Sequence, residues 1–410
     1  MRKTKLLLLL LPLLLLHACS GGPPPEIIPT DAVVAPVQDG PGQMEPVLND
    51  AGEPPAYEPE ITLPDESPPS RTLDDPSTIR TDPVLHASVL PDAHDGFELP
   101  VDGAAGYASI DIRRPNIPAG TPFTILEETG DGLSVRLADG STATIDPYEC
   151  LVNLPDVLPS VMYDAVNGYA SMFRSCGKPL DGITGQALYP GKAWNGRLGR
   201  DEYMMPVLYP MARTLAVAQR AALEEGNTLV LYEGFRPAKA QRAVADALKA
   251  LAQTDGEVAQ AVSGPPWSVG WFIATSTSNH QRGYAVDASL ARVLSAEERY
   301  VSGWRYLSIT GHALYDMPTQ MHELSPSAAA MAWPIDSNSA TAWESVPPAD
   351  TMNGPAMALQ RYCTGAGLTP LASEWWHFND LSIRRAISGR AGKGEFQIQE
   401  ALSREPAPPA

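Results

Sequence analysis

The chain begins with a long proline-rich and acidic stretch that has no apolar periodicity. Seventeen of the 41 prolines fall between Pro23 and Pro100. Residues 20–95 carry 15 acidic and 2 basic side chains, so they hold −13 of the formal charge of −19. Such a segment cannot bury enough apolar surface to offset its chain entropy, and proline keeps it extended. We therefore expect residues 20–95 to form a disordered tether, or a weakly ordered decoration without a spacing role. The folded part would then begin near residue 96.

The first residues, 1–19, have the pattern of an export signal. Three basic side chains precede a leucine-rich run over residues 6–16 that is too short for a typical membrane-spanning helix. The run ends in Leu-His-Ala-Cys19, which resembles a bacterial lipoprotein cleavage box. We expect Cys19 to be lipidated and to attach the protein to a membrane; an ordinary secretory signal is the alternative. Ser20 follows Cys19, which predicts a cell-envelope location on the periplasmic side of the outer membrane if the host is Gram-negative.

The rest of the chain excludes some functional classes. Residues 151–410 contain 24 acidic and 21 basic side chains with no basic stripe, so we expect no binding to nucleic acid. The remaining cysteines are Cys150, Cys176 and Cys363. They permit one disulfide in an oxidising compartment, with the pairing left open. Because the sequence contains no CxxC pair, a structural zinc–cysteine site is not expected.

Residues 96–156 have the pattern of β-hairpins. Short runs of mixed apolar and polar residues over 122–128, 133–137 and 141–145 are divided by Gly-Asp-Gly and Asp-Gly turns. This predicts a small β-barrel module. The segment resembles the bacterial SH3-like modules that lie beside cell-wall hydrolases. Its predicted role is either wall binding or a spacer packed on the domain that follows.

Residues 157–395 mix helix and strand patterns, which predicts an α+β domain, and the 410 residues leave room for two folded units. We expect residues 396–410 to form a flexible tail. The predicted elements are a helix over 201–225 interrupted by Pro206 and Pro210, a strand over 228–233, a helix opened by Pro237, strands over 284–290 and 314–317, and a helix over 357–365.

Two motifs in this domain carry residues suited to metal chemistry. His280 and Asp287 lie seven positions apart, and Gly283 between them favours a turn over a continuous helix. About ninety residues later, Glu374 and His377 stand in Glu-Trp-Trp-His-Phe, among bulky aromatic residues. Two histidines and a carboxylate with one open position form a common catalytic zinc arrangement. A glutamate beside it can take a proton from water and pass it to a leaving amine.

The two motifs together resemble a known family. Ser-x-His-x-x-Gly-x-Ala-x-Asp over residues 278–287 and Glu-Trp-Trp-His-Phe over 374–378 are similar to the motifs of the zinc D,D-peptidases. Glu-Gly-Phe-Arg-Pro over 233–237 adds a resemblance to the D-alanyl-D-alanine dipeptidases, including the vancomycin-resistance type. The likeness spans about residues 157–390. It implies an α+β zinc D,D-peptidase fold, with a central antiparallel sheet flanked by helices and preceded by the SH3-like module.

The resemblance also implies a role for each matching residue. It makes His280, Asp287 and His377 the ligands of one Zn²⁺ per chain, and Glu374 the general base and acid. It makes Arg236 the cation that steadies the scissile carbonyl as negative charge develops. Ser278 would line the substrate site.

One region departs from the family pattern. These dipeptidases carry Met-Gly-x-x-Phe-Asp, whose aspartate is thought to meet the substrate's ammonium group. In this chain His322 takes the place of that aspartate, and Glu323 or Asp316 would have to replace its charge. We therefore predict His322 and Glu323 as substrate-binding residues. Losing a fixed anion there would weaken selection for a free dipeptide.

The leading functional prediction is zinc-dependent hydrolysis of a D-Ala-D-Ala bond in cell-wall peptide metabolism. The substrate would be the free dipeptide or a peptidoglycan stem peptide. The alternative with the same chemistry is a peptidoglycan D,D-carboxypeptidase or endopeptidase that acts on stem peptides. The alternative of another class is a non-catalytic wall-binding lipoprotein, against which Glu374 argues, because a binding module has no need of a base beside a zinc set.

Overall fold

The computed structural model describes residue 85 and residues 89–410. The predicted signal peptide over 1–19, the lipidation site Cys19 and nearly all of the tether over 20–95 lie outside the described residues. The amino-terminal strands are β1 (Ala105–Ala108), β2 (Pro122–Thr129), β3 (Gly132–Leu137), β4 (Thr142–Ile145) and β5 (Cys150–Asn153).

The following part of the chain contains both strands and helices. They are β6 (Met162–Tyr163), β7 (Arg174–Ser175), β8 (Lys178–Pro179), β9 (Lys192–Asn195), β10 (Arg200–Tyr203), β11 (Pro206–Leu208), α1 (Tyr209–Glu224), β12 (Asn227–Glu233), α2 (Ala238–Thr254), α3 (Gly256–Ser263), α4 (Val269–Phe272), β13 (Ala285–Val301), β14 (Trp304–Leu314), α5 (Gly354–Gly365), β15 (Thr369–Leu371), β16 (Glu374–Asn379) and α6 (Leu381–Ala386).

The first sheet is antiparallel and has the strand order β11-β5-β1-β2-β3-β4. The prediction of a closed barrel is wrong for the described residues, because β11 and β4 are the two unpaired ends of this sheet. The apolar face is covered by packing instead of by closure: Phe123 and Ile125 on β2 share one buried core with Tyr209 and Leu215 on α1. Strand β11 comes from beyond residue 156, so residues 96–156 do not build the sheet alone. The likeness to SH3 modules stays a prediction.

The central sheet has the order β15-β16-β13-β12-β6, with β14 also paired to β13. Its pairings are antiparallel except for the parallel pair β12–β6. Helices α1 and α5 pack against this sheet through the first core, to which Leu215 and Leu359 belong. Helices α2, α3 and α4 pack around a second core that contains Val244, Val258 and Phe272. The α+β class with antiparallel sheets is therefore confirmed.

Two predicted elements differ from the structure. The long helix predicted over 201–225 is instead β10, β11 and a helix that begins only at Tyr209. Proline has no amide hydrogen and is tolerated in the first helical turn, so Pro210 can start α1 whereas Pro206 cannot lie within it. The strand predicted over 314–317 is wrong, because β14 ends at Leu314. Strands β13 and β14 form one long hairpin around Ser302 and Gly303, both with positive φ, as a two-residue type I′ turn requires.

The carboxyl-terminal segment 396–410 has no regular secondary structure. It runs past the first sheet, where the Leu402 carbonyl accepts a hydrogen bond from Thr124 Oγ1 at 2.6 Å. Farther along, the Ala407 carbonyl accepts one from Trp304 Nε1 at 2.6 Å. Phe396 stacks on Phe235, with 4.7 Å between ring centroids.

Within the described residues, Cys150, Cys176 and Cys363 are all free thiols. Within the described part of the chain, no helix combines the length and the apolar character needed to cross a lipid bilayer.

Candidate metal centre

Two of the predicted ligands are neighbours across a strand pair. Asp287 on β13 and His377 on β16 are directly opposite in the antiparallel register. Directly opposite residues project their side chains from the same face of a sheet. This pairing brings together two residues that are ninety positions apart in the chain. Both side chains are buried.

A tight turn places the third predicted ligand. His280 precedes β13, and its carbonyl accepts a hydrogen bond from the Gly283 amide at 3.1 Å. Gly283 has φ of +77°, and a Cβ there would overlap the Leu151 side chain. Only glycine adopts this conformation at little cost in this space. The turn folds His280 back over the start of β13, as the sequence predicts.

The three ligands point one atom each at a common position. His280 Nε2 lies 3.1 Å from His377 Nδ1 and 3.2 Å from Asp287 Oδ1. His377 Nδ1 lies 3.0 Å from Asp287 Oδ1. Zinc–ligand distances of about 2.0–2.1 Å in a tetrahedron separate neighbouring ligand atoms by roughly 3.3 Å. The spacing therefore suits one small tetrahedral cation with an open fourth position.

The second polar atom of each ligand is held by a partner of its own. His280 Nδ1 lies 2.8 Å from the Gly234 carbonyl oxygen, and His377 Nε2 lies 3.0 Å from Asn379 Oδ1. Each carbonyl can accept only an N–H, which leaves the inward nitrogen of each ring with its lone pair. Such outer partners fix the orientation and tautomer of metal-binding histidines. The donor set therefore fits Zn²⁺, with His280, Asp287 and His377 as its ligands.

The carboxylate of Asp287 is ionised despite its burial. Burial alone would raise its pKa, but His280, His322 and His377 hold the pKa well below the ordinary value when their rings carry the inward protons that a metal ion would displace. The two oxygens of Asp287 have different surroundings. Oδ1 faces the two histidines that are predicted ligands. Oδ2 is within hydrogen-bonding distance of His322 Nε2 at 3.0 Å and accepts a hydrogen bond from Arg236 Nη2 at 3.3 Å. Asp287 would therefore bind a metal ion through Oδ1 alone.

Glu374 lies at the start of β16 and lines the same cavity. Its Oε2 is 3.7 Å from His377 Nδ1. Residues three apart on a regular strand face opposite sides, but the pairing of β15 with β16 shifts register between Pro370 and Leu371. A bulge of this kind re-aims side chains, so Glu374 and His377 line one cavity. Burial, reinforced by the Asp287 charge, raises the pKa of Glu374 to about 8.

Arg236 is buried beside Asp287, and most of its donors are occupied. Its Nε and Nη2 donate to Glu233, Nη1 donates to Gln241 at 2.8 Å, and Nη2 also donates to Asp287. These four contacts leave one of the five guanidinium N–H groups, on Nη1. The guanidinium also lies over the Phe173 ring, 5.0 Å from its centroid. The geometry allows Arg236 to offer one hydrogen bond and a partly balanced positive charge.

A second group of possible ligands consists of Glu233, Asp287 and His322. Arg236 Nη2 contacts both carboxylates of that group. A guanidinium already neutralises this position, so the group with two histidines is the better candidate for a metal site. His322 is fully buried, stacks on Phe173 at 4.3 Å and has a left-handed backbone with φ of 62°.

The other predicted substrate residues differ in their surroundings. His322 lines the cavity of the candidate metal site, but its Nε2 contacts the predicted ligand Asp287. Ser278 also lines the cavity, and its Oγ accepts from the Gln281 amide at 3.3 Å. Glu323 is not among the lining residues: its carboxylate accepts from the Gly177 amide at 3.1 Å and from Ser325 Oγ at 2.6 Å. Asp316 is exposed and also lies outside the lining.

Some residues of the site were not predicted from the sequence. Asn379 orients His377, and its position two residues later on the same strand was an available signal. Gln241 holds Arg236, and its place early in the helix that follows Pro237 was a weaker signal. Phe173 stacks on His322 from a distant segment, and nothing in the sequence pattern indicated that contact.

These residues surround a cavity of about 190 Å³. It contains the metal-facing atoms, Glu374 as a buried proton acceptor and Arg236 as a hydrogen-bond donor. A buried site of this kind can bind a small polar molecule and exclude bulk water. The arrangement is suited to hydrolysis assisted by a metal ion.

Comparisons with known proteins agree in part with this chemistry. No protein-family model matches the chain. The chain is 27% identical over 198 residues to a D-alanyl-D-alanine dipeptidase from Escherichia coli (strain K12), which covers 48% of this chain and 72% of that protein. This distant similarity supports a relationship to that family at most, and it agrees with a hydrolase. It provides no support for the SH3-like module.

Proposed function

We propose that this protein is a zinc-dependent peptidase that hydrolyses D-Ala-D-Ala bonds in cell-wall peptides. One observation carries the proposal: His280, Asp287 and His377 direct one ligand atom each to a common position beside the buried Glu374. The distant dipeptidase relative supports the reaction class.

Zinc, when bound by these three residues, would polarise a carbonyl group and make a water molecule acidic. Glu374, in its ionised form, would accept a proton from water, and burial strengthens its hold on that proton. The same carboxyl group returns that proton to the departing amine as the C–N bond breaks. The free Nη1 hydrogen of Arg236 donates to the carbonyl oxygen as negative charge develops there.

Several neighbours keep these groups in position. Gly234 and Asn379 hold the two histidine rings, and Gln241 fixes the guanidinium of Arg236. Trp375 and Trp376 are both buried, so they help to keep bulk water away from the site. Electrostatic interactions are stronger in such a water-poor site than in bulk solvent.

The test is release of D-Ala from D-Ala-D-Ala and from a peptide that ends in D-Ala-D-Ala. We expect release to stop with a chelator and to return with added zinc, at about one zinc per chain. Glu374→Gln should keep the zinc but lower kcat by roughly 10²–10⁴-fold. The exposed Glu297→Gln is the matched control. If neither substrate releases D-Ala with zinc bound, the peptidase assignment is wrong, and the wall-binding alternative is favoured.

We further propose export and lipid attachment at Cys19, which would place the enzyme in the cell envelope. The sequence pattern over residues 1–19 supports this part. In a bacterial host, labelled fatty acid should be incorporated into the full chain and not into a Cys19→Ala variant. Equal labelling of both proteins would refute lipidation at this residue.

A further inference from the structure

A second cavity opens beside the catalytic one. It has a volume of about 840 Å³ and lies between α2, α3 and residues 273–277. We call it the α2 groove. Pockets for small molecules usually measure about 300–1,000 Å³. The catalytic cavity, at about 190 Å³, is below this range, whereas the α2 groove is within it.

The α2 groove and the catalytic cavity share part of their walls. Gln241, Ile273, Ala274 and Thr277 line both. Gln241 donates to the Ala274 carbonyl at 2.9 Å and accepts from the catalytic Arg236. Gln241 and Ala274 therefore form a wall that the groove shares with the site where the scissile carbonyl would lie.

The shared wall offers backbone groups to a ligand. Residues 275–277 lie outside helices and strands, and in the described structure their amide and carbonyl groups have no hydrogen-bond partner. Thr275 and Ser276 form a bend, so this segment offers single unpaired amide and carbonyl groups and not the edge of a strand. A peptide suits these groups, because its own backbone carries both hydrogen-bond donors and acceptors.

The groove also presents charges of both signs. Asp246 and Lys249 project from α2, are exposed, and have no hydrogen bond or ion pair within the described structure. Arg242, in contrast, is paired with Glu395 at 2.9 Å. The two open charges suit a peptide that carries ionised side chains or ends.

We infer that the substrate of this protein is a peptide longer than two residues, which continues from the catalytic cavity into the α2 groove. The inference rests on the proposed function, because it names the substrate class of the same site. The reaction is unchanged: water adds across the C–N bond, and the products are a carboxylic acid and an amine. Binding of the remote part contributes to catalysis when it helps to orient the reacting bond.

The first experiment compares three substrates on the zinc-loaded full chain. They are D-Ala-D-Ala, a tetrapeptide that ends in D-Ala-D-Ala and a tetrapeptide that begins with it. At least one tetrapeptide should exceed the dipeptide in kcat/KM by about tenfold or more, and the better one shows which side of the bond enters the groove. A dipeptide cleaved as well as both tetrapeptides overturns the inference but leaves the peptidase. No cleavage of any substrate overturns the proposed function itself.

The second experiment fills the α2 groove. Ala245→Trp adds a large side chain to its lining, whereas Ala250→Trp adds one to an exposed position of α2 outside it. The ratio of kcat/KM for the better tetrapeptide to that for D-Ala-D-Ala should fall about tenfold in the first variant and not in the second. Equal ratios in both variants and the parent contradict the inference.

A charge reversal provides a variant with little risk to folding. Lys249→Glu should raise KM for a tetrapeptide with an acidic side chain beyond D-Ala-D-Ala, and Lys239→Glu, exposed on the same helix, should not. Adding salt should reduce the difference, since exposed charges are screened. An identical KM in both variants, at low salt, argues against the groove as the binding site.

Discussion

Glu98 provides a test of the structure that does not depend on the metal. Its carboxylate is buried and accepts hydrogen bonds from the Ser160 amide at 2.9 Å and the Ser160 hydroxyl at 2.5 Å. Burial raises its pKa from 4.5 to about 7, although Ser160 and Arg220 oppose the shift. The folded protein therefore holds this proton more tightly than the unfolded chain does.

The sign and size of the effect on stability follow from that shift. Between about pH 4.5 and pH 7 the folded state binds more protons than the unfolded state, so the free energy of unfolding falls as the pH rises. Each pKa unit corresponds to about 1.36 kcal/mol. The difference between 4.5 and about 7 therefore amounts to roughly 3 kcal/mol across the whole window. The loss is complete above the folded pKa.

The experiment compares the parent with Glu98→Gln, which is isosteric and cannot ionise. Urea unfolding is followed by far-ultraviolet circular dichroism at several values between about pH 4 and pH 8, in chelator so that metal binding does not contribute. The parent should lose roughly 3 kcal/mol more than the variant over this range. The exposed Glu127→Gln serves as the control and should follow the parent. Parallel pH profiles for the parent and Glu98→Gln would refute the reasoning.

Three further predictions concern the site. Asn379→Ala removes the partner of His377 Nε2 and should weaken zinc affinity by about 10–100-fold, measured by competition with a chelator, while the exposed Asn338→Ala should not. Gly283→Ala places a Cβ against Leu151 at a positive φ and should cost about 1–3 kcal/mol in urea unfolding; an unchanged midpoint would contradict the turn. Arg236→Lys keeps a positive charge but lacks the planar five-donor fork that contacts Glu233, Gln241 and Asp287 and leaves one N–H free, so kcat should fall by roughly 10²–10³-fold with zinc retained. A kcat close to that of the parent would leave Arg236 without a role in the reaction.

The elements predicted from the sequence differ in how well they match the structure. The strand over 228–233 and the helix ending at Gly365 agree with β12 and α5. These segments have their own strong signals, namely a run of β-forming residues and a terminal glycine. The segment 201–225 was misread because its apolar spacing suits a helix, while pairing with β9 and β5 makes strands of its first part. Partners from elsewhere in the chain override local preference there.

The residues of the candidate site also divide into those that local sequence signals identified and those that depend on distant contacts. His280, Asp287, His377 and Glu374 were found as residue types at a particular spacing, because ligand chemistry belongs to the side chain itself. Whether Glu374 and His377 share a face depended on the bulge in β16, which no pattern within that strand indicates. Likewise, the contact of His322 with Asp287 arises from packing of a distant loop.

The sequence by itself therefore determined which atoms are available for chemistry and roughly where turns and strands begin. Only the tertiary structure decided how those atoms are used. It showed which nitrogen of each histidine faces inward, how few donors Arg236 has left, and that a groove along α2 lies beside the cavity of the candidate metal site. The physical reason is that composition and spacing are local properties of the chain. Register, outer hydrogen bonds and cavities depend on contacts between segments that are far apart in sequence.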